Sequence, residues 1–96
     1  MKRIVWTEVA VVDLKNIYSY IAKDSDAYAK AVILEIFDGV EQLELFPRSG
    51  RVVPEFMKEN TRELLVGSYR IIYDIAGSKI RILTIIHGAR LLRRNR

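Results

Sequence analysis

Only two residues, Gly67 and Ser68, separate two runs of β-branched and aromatic residues, Arg62-Glu63-Leu64-Leu65-Val66 and Tyr69-Arg70-Ile71-Ile72-Tyr73-Asp74-Ile75. So short a link between strands permits a hairpin and little else, and glycine at its first position suits a type II′ turn. Pairing outward from that turn sets Val66 against Tyr69 and Leu65 against Arg70. A second link, Ala76-Gly77-Ser78-Lys79, leads into Ile80-Arg81-Ile82-Leu83-Thr84-Ile85-Ile86 and sets Ile75 against Ile80 and Asp74 against Arg81. The C-terminal half is therefore predicted to be a three-stranded antiparallel meander. Period-two alternation places Tyr69, Ile71, Tyr73, Ile75, Ile80, Ile82 and Ile86 on one almost wholly apolar side. Glu63, Arg70, Ile72, Asp74, Arg81, Leu83, Ile85 and His87 then share the other side, apolar in the middle and charged at its ends. Half-covered sheets of this kind often present a binding surface.

The apolar side needs a cover, and the N-terminal half supplies one. Lys2 to Trp6 is a short β-rich run, and Thr7 stands where a hydroxyl would cap a helix. Ala10, Leu14, Ile17, Tyr18 and Ile21 recur at the spacing of one helical face, which ends near Lys23. Asp24-Ser25-Asp26 supplies turn and cap side chains before Ala29, Ile33, Ile36, Phe37, Val40 and Leu43 repeat that spacing up to Pro47. The short link predicts an antiparallel helical hairpin lying on the sheet. The expected fold is α+β: an N-terminal strand and a two-helix hairpin packed on one face of a small antiparallel sheet. Residues 47–55, with two prolines and a glycine and no period, read as an ordered loop.

At 96 residues, half of them hydrophobic, the chain has room for one domain, 1–96, and a small site. It has no cysteine and one histidine, and it lacks the glycine-rich phosphate loops and the HExxH pattern. Thiol chemistry, nucleotide binding and metal catalysis are accordingly not expected, and no cofactor is. Glu8, Asp13 and Lys15 interrupt what would be the apolar core of a signal peptide, and no apolar run is long enough to span a bilayer. A cytoplasmic protein without membrane contact is the expectation. Net charge is +4, but Arg90, Arg93, Arg94 and Arg96 carry all of it, since lysine plus arginine otherwise equals aspartate plus glutamate at 12 each. A basic end of this kind favours a polyanionic or acidic partner.

Three features could carry chemistry. Arg70, on the less covered face, could clamp a phosphate or carboxylate through its guanidinium fork, or form a cross-strand ion pair with Glu63. His87, followed by Gly88 and Arg90, brings a titratable ring to the end of the last strand, on the side assigned to Arg70, where it could serve acid–base catalysis or simply a structural hydrogen bond. The loop bearing Arg48, Arg51 and Glu55 could supply Glu55 as a base, or merely pack.

Taken in order, Trp6, Asp13-Leu14, Ile17, Tyr20-Ile21-Ala22, Leu43-x-x-Phe46-Pro47-x-x-Gly50-Arg51-x-Val53-Pro54-Glu55, Arg62-Glu63-Leu64, Gly67-x-Tyr69-Arg70-Ile71-x-Tyr73 and Ile85-x-His87-Gly88-x-Arg90 resemble the ParE/RelE superfamily of toxins from type II toxin-antitoxin systems. The resemblance spans nearly the whole chain. It implies a helical hairpin on an antiparallel sheet and a cognate antitoxin as partner. RelE-like members cleave mRNA on the ribosome, whereas ParE-like members poison DNA gyrase. Arg70 and Arg90 match two family arginines that hold phosphate. The lysines that RelE places on the strand before Arg70 fall here on Thr61 and Glu63, and no tyrosine follows Tyr73 to act as the acid. A YoeB-like set could be assembled from Glu55, Arg70 and His87.

The loop Gly50-Arg51-x-Val53-Pro54-Glu55 and the ending His87-Gly88-x-Arg90 look closer to ParE. The resulting expectation is a plasmid-stabilisation type toxin that inhibits growth by poisoning gyrase. Arg51, Arg70, Arg81, His87, Arg90, Arg93 and Arg94 would then form the surface for target or antitoxin. One alternative is a ribosome-dependent endoribonuclease using Arg70, His87, Glu55 and Arg90. Another is a non-toxic member that binds only its partner, reaching operator DNA through the antitoxin.

Overall fold

In a computed structural model, which describes residues 1–88, strand β1 (Arg3–Trp6) leads into helices α1 (Glu8–Ala22) and α2 (Asp26–Glu41), the second extended by a 3-10 turn at Gln42–Glu44. Strands β2 (Arg51–Val52), β3 (Thr61–Val66), β4 (Tyr69–Ala76) and β5 (Lys79–His87) follow. The Thr7 hydroxyl caps α1 by accepting from the Ala10 amide at 3.2 Å, and the Ser25 hydroxyl caps α2 by accepting from Tyr28 at 3.1 Å. Each cap satisfies an amide left open by the first helical turn.

The predicted hairpin pairings hold as expected, with Val66 opposite Tyr69, Leu65 opposite Arg70, Ile75 opposite Ile80 and Asp74 opposite Arg81. Gly67 has φ +56° while Ser68 stays at negative φ, in keeping with the type II′ geometry. Beyond the meander the sheet is larger than expected. Its order is β1-β5-β4-β3-β2, with β2 antiparallel to β3 and β1 parallel to β5, so the sheet is mixed rather than purely antiparallel.

The face assignment needs one correction. Ile72 pairs with Thr84 and Tyr73 with Ile82, leaving Leu83 as an extra residue in β5. A β-bulge of this kind reverses the alternation of every later side chain in its strand. Ile85 therefore joins Ile71 in the core under the helices, and His87 pairs with Tyr69 on that same side. Ile86, expected in the core, pairs instead with Arg70 on the opposite side. Helix α1 clasps the bulge. The Thr7 hydroxyl donates to the Ile82 carbonyl at 2.7 Å, and the Asp13 carboxylate accepts from the Ile85 amide at 3.0 Å and from the Thr84 hydroxyl.

Replacing Asp13 with alanine strips these two donors of their acceptor, which is expected to cost about 1–3 kcal/mol. Thermal melts should show a fall of about 4–8 °C per kcal/mol for a domain this size. Val12→Ala, one residue away and exposed, should stay within about 0.5 kcal/mol of the unmodified chain.

The core lies between the helices and this bulged face. It gathers Ala10, Ile36, Val40 and Leu43 from the helical layer with Ile71, Tyr73, Ile80, Ile82 and Ile85 from the sheet. Each large aliphatic side chain buried there contributes about 1.5–3 kcal/mol. Trp6 meets Phe37 edge-on at 5.4 Å and closes the core beside β1. Tyr73 does a second job: its hydroxyl donates to the Pro47 carbonyl at 2.7 Å and accepts from the Gly50 amide at 3.1 Å, tying residues 47–50 to the sheet. Among the described residues, no helix is long and apolar enough to cross a membrane.

Candidate functional site

The opposite side of the sheet holds the candidate site, because two elements bring charged side chains to Arg70 there. Glu63 on β3 lies one strand over, and the 53–57 turn folds back above both. That turn is closed by the Met57 amide donating to the Val53 carbonyl at 2.9 Å, with Val53 fully buried and Met57 in the left-handed region at φ +54°. Glu55 sits within the turn and reaches down to Arg70. The Arg70 Nη1 and Nη2 atoms donate to the two Glu55 carboxylate oxygens at 2.9 and 2.8 Å. Its Nε donates to Glu63 Oε1 at 2.8 Å, and Nη2 also donates to that oxygen. Arg51 on β2 donates to the second Glu63 oxygen.

The result is a chain of alternating charge, Arg51–Glu63–Arg70–Glu55, in which Arg70 is only 5 % exposed and Glu63 1 %. Charges so buried persist only when paired and fully hydrogen-bonded. Among the described residues no buried side-chain polar atom lacks a partner. The Glu55 hydrogen bonds, helped by Glu63, hold the Arg70 guanidinium protonated well above the ordinary arginine range, against the opposing pull of burial. Its charge is therefore constant across the physiological range.

Around this chain opens a cleft of about 480 Å³, lined by Arg51, Pro54, Glu55, Leu65, Gly67, Ser68, Tyr69, Arg70 and Gly88. Gly88 completes the rim, its amide donating to the Ser68 carbonyl at 2.6 Å.

Of the residues singled out from sequence, the structure brings Arg51, Glu55 and Arg70 together. Arg70 forms the cross-strand pair with Glu63 that was one of its two readings, and is buried rather than displayed on an open face. His87 does not join them. Alternation places its side chain on the helix side, edge-on to the Tyr69 ring at 5.8 Å. Arg81 makes a two-pronged pair with Asp74 at 3.0 and 2.8 Å and remains half exposed. Arg48 binds Glu59 and Asn60, and Arg62 grips the carbonyls of Gly50 and Glu59. Both bind within the chain. Arg90, Arg93 and Arg94 lie outside the described residues.

Sequence reasoning missed two features. Tyr20 and Tyr28 stand exposed on the helical hairpin near Tyr69, whose phenol is pushed up first by burial and then by these two neighbours. A second cleft of about 420 Å³ runs between the helices, lined by Val11, Leu14, Lys15, Tyr18, Ser19 and Ile33. Leu14, Tyr18 and Ile33, expected on the apolar stripes of the helices, line this cleft, and Leu14 packs against the core as well. A helix facing both a sheet and its hairpin partner has a wider apolar surface than either can cover. Among the described residues no group of three or more histidine, cysteine, aspartate or glutamate side chains is placed to hold a metal ion.

A two-helix hairpin over one face of a five-stranded mixed sheet is also the architecture of solved toxin-antitoxin components. The structure aligns with a chain of the chromosomal ParDE system of Pseudomonas aeruginosa with a TM-score of 0.75, at 24% identity, covering 91% of this chain and 96% of the other. It aligns with a chain of the RelBE2 toxin-antitoxin complex of Mycobacterium tuberculosis at a TM-score of 0.57 and 22% identity, covering 90% and 96%.

Sequence comparison goes further than fold. Residues 4–92 match the family described as the ParE toxin of the type II toxin-antitoxin system parDE. The chain is 32% identical to toxin RelE2 of Caulobacter vibrioides over 91 residues, covering 95% of this chain and 100% of that protein. It is 40% identical to Y4kP of Sinorhizobium fredii over 89 residues, covering 91% and 88%. The chain belongs to the ParE toxin family of type II toxin-antitoxin systems.

Proposed function

We propose that this toxin, of the plasmid-stabilisation type, arrests growth in the bacterial cytoplasm by poisoning DNA gyrase without catalysing a reaction, and that a cognate antitoxin neutralises it. The observation that carries this reading over RNA cleavage is the placement of Arg70 and His87. Cleaving RNA needs a base for the 2′-hydroxyl, a cation on the phosphorane and an acid for the leaving oxygen, all facing one substrate. Here Arg70 is engaged by two carboxylates, and alternation directs the His87 ring to the other side of the sheet. A surface of fixed internal ion pairs suits binding better than proton transfer. The family match to the ParE toxin of parDE supports the same choice.

Induction in a bacterial host is expected to stop growth with loss of normal supercoiling and a DNA damage response. Co-expression of the antitoxin should reverse both. Purified toxin should inhibit gyrase-driven supercoiling in vitro; normal supercoiling in arrested cells would refute the proposal.

One observation favours a second reading: Glu55 and Arg70, a base and a cation, are in direct contact. As a ribosome-dependent endoribonuclease the protein would cut mRNA in the A site of translating ribosomes, and Arg70→Lys would abolish cutting. Intact message in that assay removes this alternative.

A further inference from the structure

A two-residue hairpin fixes which backbone groups of a strand face its partner. The closing pair beside the turn, here Val66 and Tyr69, exchanges both amide–carbonyl bonds, and the next pair, Leu65 and Arg70, exchanges none. Alternation then directs the N–H and C=O groups of Thr61, Glu63 and Leu65 away from β4, toward the outer edge of β3. Two of these residues are met there. The Thr61 carbonyl accepts from the Val53 amide at 3.1 Å, and Glu63 lies opposite Arg51 of β2. Leu65 has no such neighbour, because β2 is only two residues long. Before Arg51 the chain drops toward the core, where the Gly50 amide donates to the Tyr73 hydroxyl. Among the described residues no strand or loop bonds the Leu65 backbone at this edge.

Proteins usually guard an open edge with a charge, a proline or a bulge. Here the side chain is an exposed leucine, which also walls the cleft together with Pro54, Tyr69 and Arg51. An amide and a carbonyl that point the same way beside an exposed apolar side chain suit one kind of ligand, a polypeptide in extended conformation. Its backbone would exchange two hydrogen bonds with Leu65. The side chain of the paired residue would lie beside Leu65 on the cleft side, since residues directly opposite share a face. An apolar residue fits that position, because it takes the leucine out of water. A phosphodiester chain carries no amide donor to meet the Leu65 carbonyl. A second copy of this chain does not fit either. Pairing Leu65 with Leu65 about a twofold axis would put Gly67 of one copy opposite Glu63 of the other, where Arg51 already stands.

We propose that the edge of β3 at Leu65 is a docking site for an extended segment of a protein partner, which adds to the sheet in line with β2 and sets an apolar side chain against Leu65 at the mouth of the cleft. The site does not depend on whether gyrase or the ribosome is the toxin's target. One pair of backbone bonds binds weakly by itself, so the segment serves partners that contribute further contacts elsewhere.

The test follows the Leu65 backbone amide of the full chain by NMR and hydrogen exchange during titration with a blocked peptide of sequence Thr-Thr-Leu-Thr-Thr. Two further versions are N-methylated, one at the leucine and one at the threonine after it. In the free chain the Leu65 amide is expected to exchange faster than those of Leu64 and Val66, which bond to β4. The plain peptide should shift the Leu65 resonance and slow its exchange. Methylation at the peptide leucine removes the N–H that meets the Leu65 carbonyl and should weaken binding about tenfold or more, whereas methylation at the next residue, whose N–H points away, should change it less than about twofold. Equal weakening by the two methyl groups would mean that side chains alone hold the peptide, and overturns the proposal. So does a Leu65 amide that millimolar peptide neither shifts nor protects. Protection that grows with protein concentration without peptide, or that a single-stranded tetranucleotide gives equally well, overturns it in favour of a second copy or of nucleic acid. None of these readouts involves supercoiling or message cleavage, so failure here and failure of the gyrase reading are separate events.

Discussion

Arg70→Leu is expected to destabilise the fold by about 3–5 kcal/mol at neutral pH, the cost of breaking a buried pair by deleting one partner. The substitution conserves bulk, so the loss measures charge rather than a void. It removes from Glu63, which is buried, the cation it shares with Glu55, and the Arg51 side chain that also contacts Glu63 is 62% exposed. Chemical denaturation of both proteins at neutral pH is the measurement. A variant as stable as the parent would mean that Arg70 does not neutralise these groups. By contrast Arg51→Ala, at the exposed end of the network, should cost about 1 kcal/mol or less.

The second large effect is expected at Gly50. A Cβ there would lie 2.5 Å from the Glu63 carbonyl oxygen and 2.6 Å from the Tyr73 hydroxyl. Neither can yield cheaply, since the first is strand backbone and the second bridges Pro47 and Gly50. Gly50→Ala forces the 47–50 segment off the sheet or expels the tyrosine hydroxyl from its two hydrogen bonds. Overpacking of this type costs about 1–3 kcal/mol, and the loss of a buried hydrogen bond adds about 1 kcal/mol more. The matched control is Gly77→Ala, where nothing lies within 4 Å and only the φ of +60° opposes the methyl group; its cost should be about 1 kcal/mol. Comparable melting temperatures for the two variants would show that residues 47–50 are free to give way. The segment also connects the core to the cleft through β2, so Gly50→Ala is expected to loosen Arg51 from Glu63 as well.

How much of this was legible in the amino-acid sequence depended on distance along the chain. The Gly67-Ser68 link dictates its pairings because a two-residue turn leaves no alternative register, and Thr7 and Ser25 announce the helix starts through side chains that act within three residues. The faces of β5 were legible only as far as Ile82. Beyond it the bulge at Leu83 shifts the count by one, and no glycine or proline marks the place in Ile82-Leu83-Thr84-Ile85-Ile86. The signals that could have exposed it are polar ones: Thr84 inside an apolar run, and Asp13 beside the buried stripe of α1. Neither has an evident use until they are seen to bond each other.

The site was partly legible in the same sense. Glu63 as a partner of Arg70 follows from the hairpin register. Glu55 arrives from a loop without a period, over a path that local propensity does not encode, and with it comes the burial that distinguishes an internal network from an open clamp. The parallel pairing of β1 was equally out of reach, because it joins residues more than seventy positions apart.

That pairing governs when a newly made toxin can finish folding. Strand β1 is hydrogen-bonded to β5, from Arg3 beside Lys79 to Trp6 beside Ile82. Contacts of such long sequence separation form late and slowly. Until Lys79–Ile82 has been made, β1 can pack on α2 through Trp6 and Phe37 but has no strand to pair with, so a message broken off ahead of the Lys79 codon yields a polypeptide whose β1 lacks its sheet partner.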